Sequence, residues 1–115
     1  MKTGKPDGLL ILADPLTFHY VKEISEFAAE QRLPSMYGFR EFCDAGGPLS
    51  YGANLQQQFR RYGYFIDKIL KGTKPGDIPI EEPTTHELVV NARTAKLLGL
   101  SIPNSILVSA DQVIE

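Results

Sequence analysis

The sequence predicts an α/β fold, three layers with helices on either side of a mostly parallel sheet. Two features carry that reading. Leu9-Leu10-Ile11-Leu12-Ala13 is an unbroken apolar run bounded by Gly8 and by Asp14-Pro15, the pattern of a central strand covered on both faces. Behind it come a helical stripe, Tyr20, Val21, Ile24, Phe27 and Ala28, and a second short strand, Ser35-Met36-Tyr37-Gly38. Strand, helix and strand in that order imply a right-handed crossover between parallel neighbours.

The elements follow in order. Asp14 is placed to cap a helix from about Pro15 to Arg32, with Pro15 in its first turn, and Leu33-Pro34 ends it. A short helix from Phe39 to Ala45 stops at Gly46-Gly47, and Leu49-Ser50-Tyr51-Gly52 reads as a further strand. Asn54 caps the most regular helix, whose stripe is Leu55, Phe59, Tyr62, Ile66, Ile69 and Leu70, with Lys71 in its last turn and Gly72 as terminator. Lys74 to Pro83 is a connector rich in proline. Glu87 to Val90 is a strand, Asn91 caps a helix through Leu98 that Gly99 ends, and Ser105 opens a terminal helix to Glu115.

With 115 residues the chain fits one domain, and 43% hydrophobic with 23% charged residues is ordinary globular usage. The formal net charge is -2, and the basic residues are scattered from Lys2 to Lys96, so nucleic acid is not an expected partner. Met1 to Gly8 shows no signal-peptide core, and no apolar run approaches the ~18 residues of a membrane span; this chain carries no export address of its own. Cys43 is the single cysteine, so neither an internal disulfide nor a thiolate metal cluster can form.

Ligands of open α/β sheets bind beyond the carboxyl ends of the strands. That places Asp14 and the Tyr37-Gly38 pair at one edge. The Asp14 carboxylate can pair with an α-ammonium group, and Tyr37 or Tyr51 can stack on an aromatic side chain. The plainer roles are a helix cap for Asp14 and half-buried packing for the tyrosines. Gly46-Gly47-Pro48 lacks the Gly-Lys-Ser/Thr ending of a P-loop, and no Gly-x-Ser-x-Gly elbow is present. His19 and His86 have no metal-ligand spacing, and Cys43 beside Phe39 and Phe42 reads as a buried inert thiol, so no metal, cofactor or catalytic residue is expected.

Six phrases run through the chain in order: Leu12 to Pro15, Leu33 to Gly38, Gly46 to Gly52, Ile69 to Pro75, Glu87 to Asn91, and Ala95 to Pro103. Together they resemble the signature of a family of ABC-importer substrate-binding proteins, the one that includes binding proteins for tryptophan and other aromatic amino acids. The resemblance implies a two-lobed periplasmic-binding-protein fold of type I-like form, of which this chain matches the C-terminal portion. Residues 1–50 and 84–115 would belong to the C-terminal lobe. Residues 51–83 would form a hinge and a segment packed on the other lobe.

What the resemblance implies about function is binding of a small solute, an amino acid with an aromatic or branched apolar side chain, for delivery to an ABC permease. The ligand-binding residues would be Asp14, Pro15, Tyr37, Gly38, Ser50 and Tyr51, and the intact parent would be periplasmic or an extracytoplasmic lipoprotein. The stripe Phe59, Tyr62, Ile66 and Leu70 would lose its neighbour in this chain, so self-association through that face is expected. The alternative is a small receiver-like regulatory or interaction domain, but the lysine such domains place at a later strand end is missing.

Overall fold

The computed structural model describes Gly4 and residues 6–115, so the reading of Met1 to Gly8 as free of an export signal lies partly outside the described residues. Five strands form one sheet in sequence order: β1 Leu9–Ile11, β2 Ser35–Tyr37, β3 Leu49–Ala53, β4 His86–Asn91 and β5 Gln112–Ile114. β1, β2 and β3 run parallel, β4 is antiparallel to β3, and β5 is parallel to β4. The sheet is mostly parallel, as the sequence predicts. The helices are α1 Pro15–His19, α2 Val21–Glu30, α3 Glu41–Asp44, α4 Leu55–Leu70, α5 Ala92–Leu97 and α6 Asn104–Ser109.

The caps are where the sequence puts them. Asp14, Asn54 and Asn91 each accept a backbone N–H of the first turn, at 2.8, 3.1 and 3.0 Å. Gly72 and Gly99 end α4 and α5 with positive φ, and the residue after each donates back to the helix, Thr73 N–H to Lys68 and Leu100 N–H to Ala95. Arg32, at φ 51°, ends α2 with the same bonding although it is not glycine.

Three expectations need correction. The helix predicted from Pro15 to Arg32 is two helices, because the Tyr20 N–H turns back to Thr17 O and the Thr17 hydroxyl bonds the Leu12 and Asp14 carbonyls, tightening the first helix until it stops. β1 lies at the sheet edge and not at its centre. The terminal helix ends at Ser109, and the last residues form β5 instead: the Asp111 carboxylate accepts the Leu88 N–H at 2.7 Å while its own N–H donates to the Leu88 carbonyl at 2.9 Å, pinning the chain beside β4.

The core lies under α2 and α3. Tyr37, Ser50 and Val89 share one face of the sheet by register, and with Phe42, Cys43 and Ala28 they are buried. On the other face α5 packs against β5, and Val90 and Ala95 are buried. Among the described residues no helix covers the same face over β1–β3, and Leu10, Leu12, Met36 and Tyr51 are exposed. The three layers are thus complete only over part of the sheet.

α4 buries none of its side chains. At ~1.5 Å per residue it extends roughly 24 Å, and the returning segment runs beside it, joined where Arg61 Nε donates to Glu81 at 2.6 Å and the Arg61 guanidinium lies 3.9 Å over the Tyr64 ring. Helix and return form an arm, which gives the molecule its extents of 55 × 34 × 19 Å.

Candidate functional site

The carboxyl ends of β1, β2 and β3 meet at one edge, and the amino end of the antiparallel β4 arrives there with them. Two glycines set how closely they meet. A Cβ on Gly38 would lie 2.7 Å from Ala13 N, and a Cβ on Gly52 would lie 2.0 Å from the Gly38 carbonyl oxygen. Only hydrogen fits between these backbones. Asp14 begins at once beyond this junction, exposed, with Oδ1 engaged by the α1 cap and Pro15 in the first helical turn.

Of the six candidate residues, the structure brings Asp14, Pro15 and Gly38 to the edge and Tyr51 to the open sheet face beside it. Tyr51 is 51% exposed and its ring stacks on His86 at 5.5 Å between centroids. Tyr37 and Ser50 point the other way. Tyr37 is 1% exposed, its ring lies flat on Phe42 at 4.4 Å, and burial pushes its phenol above the ordinary value, with the Ser35 hydroxyl opposing that rise. It has no free ring face to offer a ligand in this structure. Ser50, its register partner, is equally buried. The reason is the two-residue period of a strand: Tyr37 is on the opposite face to Met36, and Ser50 to Tyr51.

Leu12, Met36, Gly38, Tyr51, Gln58 and His86 border a groove of about 600 Å³ along the open face and the first turns of α4. Its lining is chiefly apolar, with the Gln58 amide and the His86 ring as polar groups, and Asp14 follows Ala13, which also borders it. Such a surface suits an apolar side chain with a charged head group near one end. From the sequence His86 was weighed only as a metal ligand and Gln58 was not singled out, because neither lies in a motif. His86 reaches Tyr51 only through antiparallel pairing of β3 with β4.

Burial pushes the Cys43 thiol up to about 11, and its Sγ lies 3.7 Å from the Val89 carbonyl in the core. Among the described residues no group of three histidine, cysteine or acidic side chains is placed to hold a metal. Among them, too, no helix is long and apolar enough to cross a membrane.

The chain superposes on an ABC domain from Streptococcus pneumonia in complex with L-Trp with a TM-score of 0.89 and 27% identity, covering 98% of this chain and 38% of that one. A ligand-free, open substrate binding protein with adhesive properties from Clostridium difficile gives 0.58 at 26% identity, over 87% of this chain and 34% of the other. A conserved domain protein from Vibrio cholerae shares the fold, with a TM-score of 0.86 at 22% identity over 93% of this chain and 36% of its own. Among curated proteins, the tyrosine-binding protein of Clostridioides difficile is 25% identical over 97 residues, 84% of this chain and 28% of that protein. The chain therefore spans about a third of the relatives it matches. The family model described as ABC transporter substrate binding protein matches residues 1–114, and the chain belongs to that family.

Proposed function

We propose that this chain forms one wall of an interlobe cleft that binds an amino acid with an aromatic or apolar side chain, as the C-terminal portion of an extracytoplasmic receptor serving an ABC importer. The observation that carries this reading is the apolar groove at the carboxyl ends of the parallel strands, with a half-exposed tyrosine in it and Asp14 next in the chain after Ala13 on its border. The relatives that hold L-Trp or are named for tyrosine support the ligand class.

In this reading residues 1–50 and 84–115 make the lobe, and residues 51–83 carry the chain out to a second lobe and back. The unburied α4 supports that division. Asp14 Oδ2 pairs with the α-ammonium group while Oδ1 keeps the cap, Tyr51 supplies a ring face, and the Gly38 and Pro15 backbone completes the floor. Tyr37 and Ser50 support the floor from beneath. The receptor's role is capture and delivery to a permease, with no bond made or broken.

The test is calorimetric titration of the intact receptor with L-Trp, L-Tyr, L-Leu and L-Glu, and of its Asp14→Ala variant. The aromatic ligands bind and L-Glu does not. Loss of a hydrogen bond to a charged group costs about 1.5–3 kcal/mol, so Asp14→Ala weakens binding by roughly ten- to a hundredfold. Unchanged affinity in the variant makes Asp14 a cap alone and removes it from the site.

A further inference from the structure

Where β3 hands the chain to α4 and the return segment re-enters as β4, one carboxylate ties the arm to the lobe. The Glu87 side chain is 14% exposed. Its Oε1 accepts from Arg40 Nη1 at 2.6 Å, and its Oε2 accepts from Asn54 Nδ2 at 2.8 Å. Asn54 is the residue that caps α4, its Oδ1 accepting the Gln57 N–H. Arg40 Nη2 in turn donates to Gln112 Oε1 on β5 at 2.6 Å, and its Nε lies 3.6 Å from Asp44 on α3. The bonds thus run unbroken from α3 and β5, through Glu87, to the first turn of the arm.

The orientation of the Asn54 amide follows from its neighbours: only Nδ2 can face a carboxylate, and only the oxygen can accept Gln57 N–H. One side chain therefore both starts α4 and anchors it.

We propose that Glu87 is a positioning residue that sets the angle of the α4 arm on the sheet. No α4 side chain is buried, so apolar packing does not fix its direction. The two crossings, paired as Gly52 with Glu87 and Ala53 with His86, form a two-stranded ribbon, which is a pliable support alone. The hydrogen bonds of Glu87 brace that ribbon from the side. Resting on the reading of residues 51–83 as the link to a second lobe, the same angle sets the separation of the cleft walls.

The experiment uses this chain with spin labels at Asp67→Cys, toward the far end of α4, and Lys96→Cys on α5. Both positions are exposed, while buried Cys43 escapes labelling. The distance between labels is read by pulsed electron resonance. Asn54→Asp keeps the cap but loses the donor and sets two carboxylates face to face. It broadens and shifts the distance distribution while helicity by circular dichroism holds, and Glu87→Ala does the same.

The pair Asn54→Asp with Glu87→Gln reverses the bond, the new glutamine amide donating to the new aspartate while its oxygen still accepts from Arg40. That pair restores the narrow distribution. A distribution in Asn54→Asp equal to the parent's, or a reversed pair as broad as the single variant, overturns the proposal. Should Glu87→Ala fail to fold, Asn54→Asp and the reversed pair still decide it. No ligand enters the measurement, so its outcome is independent of the solute-binding reading.

Discussion

Gly52→Ala places a methyl group where the structure leaves no room. The new Cβ lies 2.0 Å from the Gly38 carbonyl oxygen and 3.0 Å from its carbonyl carbon. Carbon and oxygen in comfortable contact sit about 3.3 Å apart, so β2 and β3 must part by roughly 1 Å. That stretches their hydrogen bonds past the normal range, and because the obstacle is backbone, no rotamer change relieves it. Overpacking costs about 1–3 kcal/mol, and a rigid obstacle places this case at the upper end, about 3 kcal/mol. At about 4–6 °C per kcal/mol for a domain of this size, Tm falls by roughly 12–18 °C. The assay is a thermal melt followed by circular dichroism, with Gly63→Ala as the internal control. Gly63 lies in the α4 interior with nothing within 4 Å of a new Cβ, so its replacement raises helix stability by about 1 kcal/mol. A Tm for Gly52→Ala within about 4 °C of the parent, less than roughly 1 kcal/mol, refutes the claim that close approach at this edge requires glycine.

Cys43 resists a disulfide reagent in the folded chain and reacts fully once unfolded, as its burial and its raised thiol value require; rapid native-state labelling counts against its place in the core. Its effect on stability has a definite sign. The folded thiol holds its proton up to about 11 against 9.0 for the free group, so its contribution is intact below about pH 9 and is lost as pH climbs from there through about 11. Cys43→Ala flattens that limb of the curve in chemical denaturation, and equal slopes in the two proteins refute the assignment. Phe59, Tyr62, Ile66 and Leu70 on α4 are all exposed. Light scattering of this chain at rising concentration shows association that Phe59→Glu with Ile66→Glu reduces, and a parent that stays monomeric throughout removes this face as the contact.

Much of this architecture was legible because it is local. Asp14, Asn54 and Asn91 cap helices through hydrogen bonds spanning two or three residues, and Gly72 and Gly99 end them through backbone freedom that needs no distant partner. The α4 stripe follows from helical spacing alone. The edge where Asp14 and Gly38 lie was legible to the extent that parallel strand ends imply it. Tyr37 and Tyr51 were both read as half-buried because they look alike in sequence, whereas the register of Met36 with Leu49 and Tyr37 with Ser50 turns one inward and leaves the other out.

The remaining features come from contacts between residues far apart in the chain. An apolar run such as Leu9 to Ala13 specifies a strand suited to burial on both faces, but its position depends on which neighbours are available to pair, and here it lies at an edge. Val113 and Ile114 suit a strand or a short helix equally until Asp111 bonds both backbone groups of Leu88 across the turn. Arg40, Asn54, Glu87 and Gln112 span 72 positions and share no motif, yet antiparallel pairing of β3 with β4 gathers them around one carboxylate. By itself the sequence determined the helix limits that a cap or a glycine marks, four of the five strands and the family, because spacing and capping act within a few residues. The tertiary structure decided strand order, which ring faces outward and how the arm is anchored, because those depend on side chains that meet only after the sheet has formed.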